Sequence, residues 1–151
     1  LDVGCGEGAW RAPLLALRPG LSYLGLDSSE YAIERYGRSR NLRLARFGDL
    51  GSLRFDRGVD LLVCADVLHY LPDAEIRTGL SGIGQLCHGV AWLETYCAED
   101  LIEGDFVGMH RRPALWYRRR FATAGLRFAG SHCWLTPALA GEAVALEVAG
   151  P

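Results

Sequence analysis

Short apolar runs alternate with amphipathic stretches along this chain, and turn residues separate them. Residues 1–3, 22–26, 42–47, 60–64 and 89–95 are apolar runs of strand length, bounded by Gly, Pro, Asp or Ser. Between them, 10–17 reads as a short helix with Pro13 in its first turn and Pro19-Gly20 ending it. Ser28-Ser29-Glu30 opens a helix running to about Tyr36, where Gly37 stops it. Residues 73–87 have helical character, broken late by Gly82 and Gly84. A long connection, 96–112, leads to a helix over 113–124 that Gly125 closes. Residues 126–134 and 143–148 read as two last strands. The Pro137-Ala138-Leu139-Ala140-Gly141 link leaves no room for a crossover helix, so these two should pair antiparallel. Alternating strands and helices predict an α/β fold built on a doubly wound, mostly parallel sheet. No internal repeat or low-complexity segment interrupts the pattern.

The first run ends in the most informative segment, Leu1-Asp2-Val3-Gly4-Cys5-Gly6-Glu7-Gly8. Glycine tolerates positive φ and lets a ligand approach the backbone closely. A strand, a glycine turn and a helix together make a nucleotide-binding crevice. The second strand, Tyr23-Leu24-Gly25-Leu26-Asp27, ends in an acid placed to hydrogen-bond a ribose. Two nucleotide readings compete, because Gly4-x-Gly6-x-x-Ala9 also satisfies a looser dinucleotide fingerprint, that of an NAD(P)-dependent oxidoreductase. Asp2 separates them. A central parallel strand is normally apolar on both faces, and a carboxylate there is costly without a partner. An acid at this position suits a ligand that carries an ammonium group beside its ribose.

On these residues the sequence resembles the class I S-adenosylmethionine-dependent methyltransferases. The opening octet is similar to their first motif, Asp27 to the ribose-binding acid, and Gly48-Asp49-Leu50 to the segment flanking the adenine. The run from Asp60 through Ala65-Asp66-Val67-Leu68-His69-Tyr70-Leu71-Pro72 resembles the fourth-strand motif and the helix after it. The resemblance implies seven strands in the order 3-2-1-4-5-7-6, with the last strand antiparallel, and S-adenosylmethionine as cofactor. It also implies one or two helices ahead of residue 1, so residues 1–151 read as one methyltransferase domain lacking its amino-terminal helices.

The resemblance also implies a site. Gly4, Cys5, Gly6 and Gly8 let the methionine part of the cofactor lie against the first turn, where the next helix offers N–H groups to its carboxylate. Asp2 reaches the ammonium, directly or through water. Asp27, with Ser28 beside it, is the ribose ligand, against the alternative of a helix cap. Asp49 accepts from the adenine amino group with the Leu50 N–H facing the ring, against a turn-forming role. Gly8 alternatively only permits close packing. Ala65 presents a carbonyl to the cofactor, and Asp66, His69 and Tyr70 face the mouth of the pocket. His69 is the candidate general base, against a packed loop histidine. Glu94, Tyr96, His110 and Arg111 are candidates for contact with the acceptor, since ligands of open α/β sheets bind beyond the strand ends. His110-Arg111-Arg112 reads either as an anion-binding group or as a solvated basic turn. Asp66 and His69, three apart, give two metal-capable groups, too few for a metal site. Transfer of a methyl group to an oxygen or nitrogen of a small-molecule acceptor is the function implied. A binding module of the same fold that needs a partner is the alternative.

Composition narrows the field further. The chain has 151 residues, half of them apolar and 23% charged, which suits one globular domain. A net charge of -2 gives no electrostatic case for nucleic acid. All of the basic residues are Arg, including Arg118-Arg119-Arg120, which the neighbouring Trp116, Tyr117 and Phe121 mark as the solvated side of an aromatic stripe. Five cysteines, Cys5, Cys64, Cys87, Cys97 and Cys133, form no Cys-x-x-Cys pair and read as reduced thiols of a cytoplasmic protein. No apolar run reaches membrane-spanning length. Oligomeric state has no signature in the sequence.

Overall fold

A computed structural model describes residues 1–103 and 107–142. Among these, seven strands form one sheet in the order β3-β2-β1-β4-β5-β7-β6. The strands are β1 (Asp2–Val3), β2 (Gly25–Asp27), β3 (Leu42–Leu44), β4 (Val59–Ala65), β5 (Cys87–Glu94), β6 (Arg127–Gly130) and β7 (Cys133–Leu135). The first five pair in parallel, and β7 is antiparallel to both β5 and β6. The helices are α1 (Arg11–Leu17), α2 (Glu30–Arg40), α3 (Asp73–Leu86), α4 (Ala114–Thr123) and α5 (Pro137–Ala140). The strand order is the one expected.

Alternation across the pleat sorts the core into two layers. Val3, Leu26, Leu62, Cys64, Ala91, Leu93 and Trp134 join Ile76, Leu80 and Ile83 of α3 and Tyr117 and Phe121 of α4 in the main core. On the other face a smaller cluster of Cys5, Tyr23 and Leu42 packs with Leu14 of α1 and Ile33 and Tyr36 of α2. Asp2 shares that second face, in register with Gly25 and Val63.

Several local expectations are corrected. The run 126–134 is two strands, because Ser131 (φ 47°) and His132 (φ 62°) make a two-residue hairpin turn. Positive φ at both central residues matches the twist of the flanking strands. The expected link 137–141 is largely the helix α5, and the strand expected over 143–148 lies outside the described residues. Gly37 does not stop α2. Asn41 takes the left-handed position at φ 57°, and its N–H closes on the Gly37 carbonyl. Gly82 does not break α3 either: a Cβ there would stand 2.2 Å from the Leu50 oxygen, so this glycine admits a close helix–turn contact. β2 begins three residues later than expected, since its ladder to β1 starts only at the Asp2–Gly25 pair. β3 ends at Leu44, and 47–51 form a 3-10 turn. Tyr117 and Phe121 are buried and Trp116 carries Arg120 over its ring, as the aromatic-stripe reading requires.

Candidate active site

The glycine turn is built as a cradle. Val3 ends β1, and Gly4, Gly6 and Gly8 have φ of 71°, 51° and 79°, where side chains other than glycine are strained. The N–H groups of Gly4 and Cys5 both donate to the Leu26 carbonyl, which ties the turn to β2. A Cβ at Gly4 would lie 2.2 Å from Cγ2 of Val67, so the segment after β4 closes onto the turn from the other side. At Gly6 a Cβ would meet nothing within 4 Å, so the turn faces open space at its apex. Cys5 points away into the smaller core, where burial pushes its thiol up to about 12; only its backbone is left to face a ligand.

Asp27 holds the cradle from the end of β2. Its Oδ2 accepts from the Gly6 N–H at 2.7 Å and its Oδ1 from the Ser29 N–H at 2.8 Å. Ser29, not Asp27, is the side-chain cap of α2. Ser28 is exposed beside them. Carboxylate oxygens have about four acceptor sites in all, so two bonds leave Asp27 capacity for a diol. Asp2 is only 2% exposed, and its Oδ2 accepts from the Tyr23 hydroxyl at 2.6 Å. Burial raises its pKa, which the Tyr23 hydrogen bond opposes. Asp2 and Tyr23 also line a cavity of about 410 Å³ whose other walls come from Leu14 and Arg18 of the α1 region and from the starts of β1 and β4, with no residue of the glycine turn among them.

Asp49 lies in the 3-10 turn after β3. Its Oδ2 accepts from the Arg46 N–H at 2.8 Å and so shapes its own turn, with no bond from another residue to its Oδ1 among the described residues. Leu50 is fully buried in the main core.

Beyond the ends of β4 and β5, Ala65 pairs with Glu94, and the Asp66 N–H donates to the Glu94 carbonyl. Asp66 is exposed and left-handed at φ 57°, which sets it apart from the 3-10 turn Leu68–Tyr70. His69 is 1% exposed. Its Nδ1 lies 3.1 Å from Thr95 Oγ1, and its ring packs against Tyr70 at 4.2 Å and Tyr96 at 5.3 Å. Burial lowers its pKa; the nearby Asp66 opposes this. Tyr70 and Tyr96 are themselves about half exposed, and Glu94 is half-buried. The rings of His69, Tyr70 and Tyr96 are therefore in contact, and Glu94 stands next in the chain to Thr95, which meets His69.

The connection after β5 is strapped onto this loop. The His110 N–H donates to the His69 carbonyl at 2.7 Å, while its ring is exposed. Arg111 is exposed and donates to the Ala98 carbonyl. Arg112 is buried, which overturns the solvated-turn reading for this residue. Its guanidinium donates to Asp73 at 2.8 Å, to the Leu71 carbonyl at 2.6 Å, and to the Leu68 carbonyl and Tyr117 hydroxyl at 3.3 Å. It also lies 4.8 Å over the Trp116 ring. Tyr23 and Thr95 are the functional-site neighbours that motif reasoning missed, and Arg112 is named there without its role under the 68–71 turn. Among the described residues no cluster of three metal-capable side chains occurs, and no helix is long and apolar enough to cross a membrane.

The family described as Methyltransferase domain matches residues 1–92, well over half of the chain, and the chain belongs to it. Its sheet is that of the class I S-adenosylmethionine-dependent enzymes. Among curated proteins no sequence matches. Solved structures of similar fold include the O-methyltransferase NcsB1 from neocarzinostatin biosynthesis, in complex with S-adenosyl-L-homocysteine and 1,4-dihydroxy-2-naphthoic acid. It is 22% identical with a TM-score of 0.66, over 89% of this chain and 48% of its own. Magnesium protoporphyrin IX methyltransferase from Synechocystis, with bound S-adenosylhomocysteine, is 20% identical at a TM-score of 0.61, over 83% of this chain and 62% of its own. A Haloferax volcanii putative methyltransferase in complex with the Trm112 methyltransferase activator is 25% identical at 0.56, over 83% of this chain and 59% of its own. The chain thus spans about half to three fifths of the solved chains it matches.

Proposed function

We propose that this protein transfers a methyl group from S-adenosylmethionine to an oxygen or nitrogen of a small-molecule acceptor. The observation that carries the reading is the cradle: three left-handed glycines, open at Gly6 and fixed from beneath by Asp27, beside the joined ends of β4 and β5. Gly4, Cys5, Gly6 and Gly8 would hold the methionine part with their backbone, and Asp2 its ammonium. Asp27 and Ser28 would take the ribose hydroxyls, Asp49 and Leu50 the adenine, and Ala65 and Asp66 the inner edge. Bound there, the cofactor supplies a methyl group already activated by its sulfonium. The protein then has chiefly to align the acceptor, an effect worth up to roughly 7–11 kcal/mol in well-oriented systems.

His69 is the group to take the acceptor's proton. Burial disfavours its charged form, so at neutral pH it stands ready as a base. The tautomer with its proton on Nδ1 donates to Thr95 Oγ1 and leaves Nε2 as the accepting nitrogen. Tyr70 and Tyr96 offer ring faces beside it, and Glu94, His110 and Arg111 offer polar contacts at the rim. The small-molecule acceptor is supported by the dihydroxynaphthoic acid in NcsB1, and a cytoplasmic location by five free thiols.

Calorimetric titration with S-adenosylhomocysteine and, in parallel, NADH tests the cofactor. Binding of the first alone is expected; binding of NADH alone would make Asp27 a dinucleotide ligand and overturn the proposal. The activator bound to the Haloferax relative favours a second reading, a domain that needs a partner. A folded sample that binds neither ligand supports that one.

A further inference from the structure

Asp2 is a carboxylate in a central strand, and it is 2% exposed. Among the described residues the ion pairs are Arg40–Glu7 and Arg112–Asp73, so no protein cation pairs with Asp2 or Asp27. The group that does meet Asp2 is the hydroxyl of Tyr23, a residue 7% exposed in the segment before β2. That hydroxyl sits under the glycine turn: a Cβ at Gly8 would stand 3.4 Å from it. A hydrogen bond to the charged form of a buried carboxylate favours ionisation. An uncharged phenol gives that help without supplying the opposite charge, whereas an Arg in its place would neutralise the acid and repel an incoming cation.

We propose that Tyr23 is a positioning residue for the methyl donor: its hydroxyl holds Oδ2 of Asp2 and leaves the other oxygen of a charged carboxylate to the donor's ammonium group. This rests on the reading of Asp2 given above. The titratable groups that act on Asp2 from its own face are the Tyr23 hydroxyl, Asp27 at the end of β2 and Cys5 in the turn; Arg11 of α1 acts on Tyr23. Asp27 works against ionisation of Asp2. Tyr23 is the side chain that donates a hydrogen bond to its carboxylate.

The test is calorimetric titration of S-adenosylhomocysteine, which carries the same ammonium group, from about pH 5 to about pH 8. Wild type, Tyr23→Phe and Asp2→Asn are compared. Wild-type affinity should fall toward the acid end as Asp2 takes up a proton. Tyr23→Phe should match wild type within about twofold at the alkaline end, with its fall displaced upward by about one pH unit, a tenfold loss at the acid end. Asp2→Asn should bind weakly with no such fall. A Tyr23→Phe profile lowered equally at every pH, or not displaced, overturns the role of Tyr23 while leaving that of Asp2. An Asp2→Asn profile that keeps the wild-type fall overturns the reading of Asp2, and the proposal with it. Carbon-13 titration of the Asp2 carboxyl in ligand-free wild type and Tyr23→Phe reads the same displacement without binding; an unchanged midpoint refutes it.

Discussion

Arg112 decides whether the loop that carries His69 is held by charge or by carbonyl satisfaction. Its ion-pair partner Asp73 has a side chain 49% exposed, so that carboxylate returns to water at little cost when the guanidinium is removed. The Leu71 carbonyl, in a half-buried residue, accepts from Arg112 at 2.6 Å and has no other donor among the described residues. Leu68 keeps the N–H of Leu71 as a second donor. Arg112→Met keeps most of the stem and deletes the head. The carbonyl left without its donor costs about 1–3 kcal/mol. Loss of the cation over Trp116 adds about 0.5–2 kcal/mol. The expected destabilisation is therefore about 1.5–5 kcal/mol, chiefly from the backbone of the 68–71 turn. Arg112→Lys retains the charge but cannot fork to Asp73, Leu68 and Leu71 together, and should lose about 1–2 kcal/mol. Urea unfolding followed by tryptophan fluorescence measures both, with unchanged denaturant slopes as the control. If charge were the main term, Lys, which keeps it, would equal wild type and Met alone would lose stability. A Met variant within about 0.5 kcal/mol of wild type refutes the carbonyl argument.

Other consequences are open to measurement. Gly4→Ala combines a strained φ with a clash against Val67 and should destabilise by about 2–4 kcal/mol. Adding Val67→Ala should recover the steric part alone, and urea unfolding of both variants checks this. His69, with its pKa lowered by burial, contributes stability that is present above its unfolded value of 6.5 and lost as pH falls toward the folded value; thermal unfolding of wild type against His69→Gln should diverge there. For the same reason the acid limb of the methylation rate should lie below the usual histidine range and disappear in His69→Gln. Asp2 is the opposite case: its raised pKa gives stability that is present below 3.8 and lost as pH rises through the folded value. Asp2→Asn should therefore melt higher than wild type at pH 7 without ligand, and a lower melting temperature would contradict the desolvation argument.

The parallel half of the sheet is legible in the sequence because each strand and helix there carries its own pattern. Residues 126–134 read as one strand because the turn at Ser131 and His132 uses positive φ without glycine at either central position, with strand-forming residues close on both sides. Gly37 and Gly82 read as breakers, but each is placed by a neighbour distant in sequence or by the next residue able to go left-handed. One glycine lies within a helix that Asn41 closes, and the other lies against the backbone of Leu50. Sequence shows that a glycine is permissive; only the fold shows whether that freedom serves a turn or a close approach.

The two halves of the candidate site differ for the same reason. The donor half is made of backbone, and its requirement for glycine at alternate positions is written locally between Gly4 and Gly8. The acceptor half is made of side chains that meet across long separations, as does the support beneath the donor: Tyr23 reaches Asp2 from 21 residues away, Thr95 reaches His69 from 26, and Arg112 reaches Asp73 from 39. None of these has a spacing that a motif could record. Each nevertheless touches a residue or turn that the motifs do name: one donates to the acid beside the glycine turn, one meets the histidine at Nδ1, and one bonds the turn on which that histidine rides. On the proposed reading the chemistry rests on residues visible in the sequence and is tuned by contacts visible only in the fold, which is why substitutions at Tyr23, Thr95 and Arg112 should alter pH dependence and loop stability before they alter the identity of the donor.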